Sequence, residues 1–320
     1  MMQFYKKRDF GSFISDSFSF FKFYGKDYFK TYTLLNGLLL ILMVVVIVFG
    51  YREFFLQLFG SNMGGESYYF EQYFQENTGM LILVTLLFFL LLSALSLVAY
   101  LYPVFYMKRL AGGQTQIKTD DIVGDLKKNA KKILIYYLGI MFVVMPLSVI
   151  VILICYGLIL ILIGILLLLF VFPCLFNFIT FLTYDYFNSD RGFFESIGYA
   201  LRAQFSYHTG RENSPFWKYW GATIINFFIY NIISSIFTMV PVIMFYGALF
   251  TMPTNASFEE NPFTGTFGIV LFVIYGISLI FSYYMMNLLY INAGLMYYDS
   301  RTDLHQKMEM EEIETIGINE

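Results

Sequence analysis

Between Ile133 and Tyr184 the chain runs for 52 residues without an Asp, Glu, Lys, Arg or His. No other feature narrows the possible folds as much. As one helix this stretch would be about 78 Å long, more than twice the roughly 30 Å hydrocarbon core of a bilayer. It therefore has to cross a membrane twice and reverse between the crossings. The reversal is predicted at Cys155-Tyr156-Gly157, because Gly157 accepts turn conformations that other residues resist. Pro146 and Pro173 then fall inside the two crossings, where membrane helices tolerate kinks.

Four more apolar runs complete the pattern, giving spans at 33–50, 80–106, 133–154, 158–183, 219–250 and 266–297. Charged residues make up 13% of the chain, where a soluble domain has about a quarter. The runs are too long and too continuous for alternating strands, so helices are expected to span. The fold class is all-α: a polytopic membrane protein with six transmembrane helices arranged as three hairpins. A basic arm, 1–32, precedes the membrane domain, 33–298, and an acidic tail, 299–320, follows it. The first run begins late and lacks a small-residue cleavage site, so it is expected to remain as a span.

The basic residues test this count. Cytoplasmic segments carry excess Lys and Arg. Six spans place every one of the 20 Lys and Arg residues except Arg52 on one face. They lie in the arm, the loop after span 2, the loop after span 4 and the tail. A single crossing in 133–184 would put the loop after span 4 on the wrong side. Both termini are therefore expected in the cytoplasm. Trp217 and Trp220 enter span 5 together, at the interfacial depth that indole rings favour.

Each cytoplasmic segment before an odd-numbered span carries an amphipathic pattern. In GFFESIGYALRAQF the apolar face is Phe193, Phe194, Ile197, Leu201 and Phe205. In DDIVGDLKKNAKKI it is Ile122, Val123, Leu126, Ala130 and Ile133, and in the arm it is Phe13, Ile14, Phe18, Phe21 and Tyr28. This spacing gives one helix face. The segments are expected to lie as interfacial helices, with Lys127, Lys128, Lys131, Lys132, Arg191 and Arg202 contacting anionic lipid.

The stretch DRGFFESIGYALRAQF, followed by PFWKYWGATII, resembles the central motif of a broad group of bacterial six-span proteins. That group is related to the membrane domain fused to some glycerophosphodiester phosphodiesterases. The matching residues are Gly192, Ile197, Ala200, Leu201, Phe216, Trp217 and Gly221, while Arg202-Ala203 stands where the group has Ser. The resemblance implies a helical protein of a bacterial inner membrane with no defined function.

The spans hold no ionisable side chain, the usual mark of a proton or ion path. Their polar residues include Asn36 and Asn177. A further set, Asn226, Asn231, Ser234, Ser235, Asn287 and Asn292, forms a candidate seam between spans 5 and 6. Two readings of that seam stand: interhelical hydrogen bonds of roughly 0.6–2 kcal/mol each, or contact with a headgroup or solute. His208 and Glu212 are four apart but straddle Gly210 in a turn, so no metal site is expected there. Cys155 and Cys174 sit in apolar runs and are expected to be inert packing residues. Asn255-Ala256-Ser257 is a chance sequon. Leu304, Met308, Ile313 and Ile316 line one face of the tail imperfectly.

No catalytic residue, cofactor or metal is expected, and no nucleic acid. Membrane lipid is the expected partner, with a protein partner on the cytoplasmic face as a further expectation. The first functional expectation is a non-catalytic, membrane-organising or complex-accessory component. The alternative is a transporter or channel for a neutral or lipid-like solute.

Overall fold

The computed structural model describes residues 2–51, 67–205, 215–251 and 265–316. These are helical, with no strand among them. Ten α-helices follow one another among the described residues. Helix α1 is Phe10–Val45, extended by a π-helical turn Val46–Tyr51, and α2 is Ser67–Ala111. Then come α3 (Thr119–Lys128), α4 (Ala130–Gly139), α5 (Met145–Gly157), α6 (Ile163–Asn188) and α7 (Phe193–Phe205). The last three are α8 (Phe216–Thr251), α9 (Thr266–Met285) and α10 (Asn287–Ile316). Six stretches are long and apolar enough to cross a membrane: Phe10–Gly50, Glu71–Ala111, Ala130–Leu160, Ile163–Asn188, Phe216–Thr251 and Thr266–Thr302. Each contains, or largely overlaps, one of the six spans read from the sequence.

Three local readings need correction. The reversal in the charge-free stretch lies later than Cys155-Tyr156-Gly157. Gly157 is helical, a single 3-10 turn runs Leu158–Ile161, and Leu162 takes the left-handed conformation at φ 63°. Glycine is needed at Gly164 instead, where an added Cβ would collide with the Cys155 carbonyl as the hairpin closes.

The basic arm is not a separate helix. Residues 10–45 form one unbroken helix of 36 residues, about 54 Å long. Inside it Tyr28 and Tyr32 are buried, and the Tyr28 hydroxyl donates to Asn287 Oδ1 at 2.6 Å.

The amphipathic segment DDIVGDLKKNAKKI is divided between two short helices rather than one. Asn129 ends α3 at φ −98°, ψ 12°. Its Nδ2 and its backbone N–H both donate to the Asp125 carbonyl, at 2.8 and 3.0 Å. Asn satisfies helix-end carbonyls in this way. A π turn, Ile140–Val144, then precedes Pro146. Proline has no N–H to donate, and a wider turn relieves the clash with the preceding carbonyls.

The chain divides into two compact units. Unit 1 comprises Met1–Tyr32, Tyr100–Ile229 and Asn287–Glu320, and unit 2 comprises Thr33–Ala99 and Tyr230–Met286. The core of unit 1 is aromatic. Tyr28, Tyr102, Tyr106, Tyr184, Tyr297 and Tyr298 are almost fully buried, with ring centroids of neighbouring pairs 4.8–6.3 Å apart. Edge-to-face arrangements at this spacing stabilise by about 0.5–1.5 kcal/mol per pair beyond area burial. The core of unit 2 is aliphatic: Leu40 and Met43 of α1 and Ile47 of the π turn pack with Leu95 of α2, joined by Leu279 and Ile280 of α9.

Candidate functional site

The polar residues of spans 5 and 6 fall in both units. Asn226, Asn287 and Asn292 belong to unit 1, and Asn231, Ser234 and Ser235 to unit 2. Asn287 accepts from Tyr28, and Asn292 Oδ1 lies 3.4 Å from Ser17 Oγ, so both turn towards α1. On α8, Asn226 Nδ2 donates back to the Ala222 carbonyl, and the neighbouring Thr223 hydroxyl donates to Asn177 Oδ1 at 2.7 Å. Asn231 and Ser235 are exposed on α8, whereas Ser234 is buried. Within unit 1 these bonds fasten α1 to α10 and α6 to α8.

The six candidate cations also separate into two kinds. Lys132 donates to the Tyr186 and Ser189 carbonyls at 3.3 and 3.1 Å, capping the end of α6. Arg191 pairs with Asp185 at 2.9 Å. Those two are spent inside the protein. Lys127, Lys128, Lys131 and Arg202 are exposed and make no ion pair among the described residues.

Helix α7 explains how Arg202 is presented. Its small and polar face packs inward: Ser196, Tyr199, Ala200, Ala203 and Gln204 are buried. Of the apolar face read from the sequence, only Phe193 turns in, where Gly139 of α4 leaves room for its ring. Phe194 is 72% exposed, Leu201 46% and Phe205 51%. Phe205 stacks on Phe216, which meets Trp217 edge-on. Apolar rings, an indole and a cation therefore share one outward surface.

Sequence reasoning missed a network of buried charges in unit 1. Asp299 of α10 accepts from Lys218 Nζ and the Tyr219 hydroxyl at 2.6 Å each, and from the backbone N–H of Arg8 at 2.6 Å. Arg8 is buried, pairs with Asp16 at 2.9 Å, and donates to the Phe4 and Gln3 carbonyls at 2.7 Å. Burial pulls its guanidinium below the ordinary value, opposed by Asp16 and Asp299. In the same unit, Asp185 has no side-chain exposure and faces Arg191 and, at 3.8 Å, Arg301. Both guanidiniums lie against the Tyr199 ring, at 4.9 and 5.8 Å. Burial pushes the Tyr199 phenol up to about 12, so it stays neutral, with its hydroxyl 2.5 Å from Ser300 Oγ. The only sequence signal for this network was that Asp185 and Asp299 directly follow apolar runs.

Unit 2 contains a cavity of about 770 Å³ between α1, α2, α8 and α9. Leu40, Val44, Ile47, Phe245, Phe272 and Leu279 are among its lining residues, and nearly all of its wall is carbon. No group of three or more His, Cys, Asp or Glu residues placed to hold a metal occurs among the described residues. His208, Arg211, Glu212, Arg52 and Asn255 lie outside the described residues, as do the side chains of Leu304, Met308, Ile313 and Ile316. Cys155 is buried and Cys174 half-buried, both as free thiols.

Six apolar helices of spanning length and an all-helical fold define a multi-pass helical membrane protein. Residues 192–319, from the start of α7 into the tail, match a family model described as "Protein of unknown function (DUF4013)". The residues that carry the resemblance noted above, Gly192 to Gly221, lie at the start of this match. The match itself brings no link to phosphodiesterases. No curated protein matches the chain, and no solved structure does.

Proposed function

We propose that the chain is a non-catalytic component of a bacterial inner membrane that organises anionic lipid at a basic cytoplasmic face. The observation that carries this reading is the outward surface of α7. Arg202, with no ion pair among the described residues, stands beside exposed Leu201, Phe205 and Trp217, while the small residues of the same helix pack inward. A helix with rings at acyl depth and a cation at headgroup depth suits an interface rich in anionic lipid. Lys127, Lys128 and Lys131 add exposed charge in the same unit. With both termini in the cytoplasm, unit 2 contains only Arg52 of the 20 basic residues, as the excess of Lys and Arg on cytoplasmic segments requires. A partner protein would dock on this same basic face. The kinship with the phosphodiesterase membrane domain belongs to this reading and rests on the α7 motif alone.

The test is lipid retention. Reconstituted protein, stripped in mild detergent, should keep phosphatidylglycerol in preference to phosphatidylcholine. Replacing Lys127, Lys128, Lys131 and Arg202 by Gln together should reduce that preference by about 1 kcal/mol per charge near the surface, and most at low salt. An unchanged preference in the quadruple variant would refute the reading. The alternative, carriage of a neutral or lipid-like solute, has the cavity of unit 2 in its favour.

A further inference from the structure

Beyond the apolar wall of the unit 2 cavity, along the same stretch of α1, lies a buried amide. Leu40, Val44 and Ile47 line it from α1 at the spacing of one helix face. Asn36 is one turn before Leu40 on that face, next to the lining residues rather than among them, and it is fully buried. Neither its Nδ2 nor its Oδ1 has a hydrogen-bond partner among the described residues. Buried amides are ordinarily satisfied, so an orphan with both atoms free points to a missing group. Other polar side chains belong to the same unit. Tyr283 of α9 lines the cavity and hydrogen-bonds Ser96, and Tyr284 lies 2.6 Å from the Thr33 hydroxyl.

We infer that the cavity binds a neutral single-chain amphiphile, with its hydrocarbon tail along the α1, α8 and α9 wall and a hydroxyl-bearing head on Asn36. The wall excludes a polar solute, since nothing along it could replace lost hydration. The volume falls within the usual range of small-molecule sites, about 300–1,000 Å³. The lining has no ionisable carboxyl, amine or guanidinium to pair with a charged head, and burying an unpaired charge is prohibitive. A hydroxyl both donates and accepts, so it satisfies Oδ1 and Nδ2 of one amide. This site takes a tail and a neutral head, and is separate from the headgroup reading of the basic face.

The experiment uses the whole protein in phosphatidylcholine nanodiscs, where the anionic-lipid reading expects no signal. Two probes are compared: a monoacylglycerol with a diazirine at mid-chain, and a diazirine alkane of equal length. Cross-links from the monoacylglycerol are expected on Val44, Phe245 and Leu279, and excess unlabelled monoacylglycerol should compete them away. Leu279→Trp, which fills the cavity, should abolish them. Asn36→Leu should lower monoacylglycerol labelling by about five- to tenfold, the loss of a hydrogen bond or two, and leave alkane labelling unchanged. Should Leu279→Trp fail to assemble, competition in the wild-type protein decides the question. Labelling that is not competed, and is spread evenly over outward residues such as Leu38 and Ile41, would overturn the proposal. So would equal labelling by the two probes with no effect of Asn36→Leu, which would leave water as the partner of the amide.

Discussion

Several single residues hold unit 1 together, and two of them make sharp predictions. Gly139 leaves space for the Phe193 ring, where a Cβ would penetrate the aromatic atoms. Gly139→Ala should therefore destabilise by about 1–3 kcal/mol, the usual range for overpacking. Adding Phe193→Leu should restore part of the loss. A double-mutant cycle on thermal unfolding in detergent measures that coupling, and additive losses would show that the two residues do not meet. Asp299 serves three donors at once: Arg8 N–H, Lys218 Nζ and the Tyr219 hydroxyl. Asp299→Asn keeps the shape but removes the charge and turns one acceptor oxygen into a donor. Lys218 retains some contact with water, which screens the pair. The expected loss is about 2 kcal/mol, less than the 3–5 for a fully buried pair, read as a lower unfolding midpoint.

At the scale of elements, α3 is a pH-sensitive piece. The Asp121 carboxylate accepts the Lys118 N–H at 2.9 Å and lies 3.7 Å from Arg109. The backbone bond, with Arg109 adding to it, holds Asp121 below the ordinary carboxylate range. A depressed folded value contributes stability above the unfolded value, about 3.9, and that contribution is lost as pH falls through the folded value. Amide exchange in the first turn of α3, corrected for intrinsic rates, should therefore accelerate below about pH 4. Asp121→Asn should exchange quickly at every pH. The α5–α6 reversal offers a prediction of opposite sign. Leu162 holds a left-handed backbone, which costs a non-glycine residue about 1–2 kcal/mol. Leu162→Gly should raise the unfolding midpoint, and a fall would mean that the leucine side chain anchors the tip.

Across the whole molecule, the charge pattern makes the topology testable. In a variant with Cys155 and Cys174 replaced by Ala, a cysteine at Gln116 should resist an impermeant maleimide in intact cells. One at Asn255 should react. Reversed labelling would overturn the assignment of both termini to the cytoplasm.

Charge-free runs and the bias of Lys and Arg made the six crossings legible, because bilayer thickness and loop charge act on any sequence in the same way. The position of the α5–α6 turn was not legible. It depends on which residue bears the left-handed strain, and Leu162 does so despite a glycine five residues earlier. The division of the cations into spent and outward ones was hidden as well. Arg109 and Asp125, or Lys108 and the Phe187 carbonyl, meet only after the helices pack. Asn36 was visible as a polar residue in a span, but its empty hydrogen-bonding sites are a property of the packed helices.

The bond between Arg8 and Asp299 joins residues 291 positions apart. During synthesis the arm emerges first, and its anchoring carboxylate is translated near the end. Until α10 has been made, the arm has its local bonds from Arg8 to Asp16, Phe4 and Gln3 but lacks the long-range one. A nascent chain that stalls before residue 299 thus leaves the Arg8 N–H without its carboxylate. Docking of the arm reports that the last helix has arrived.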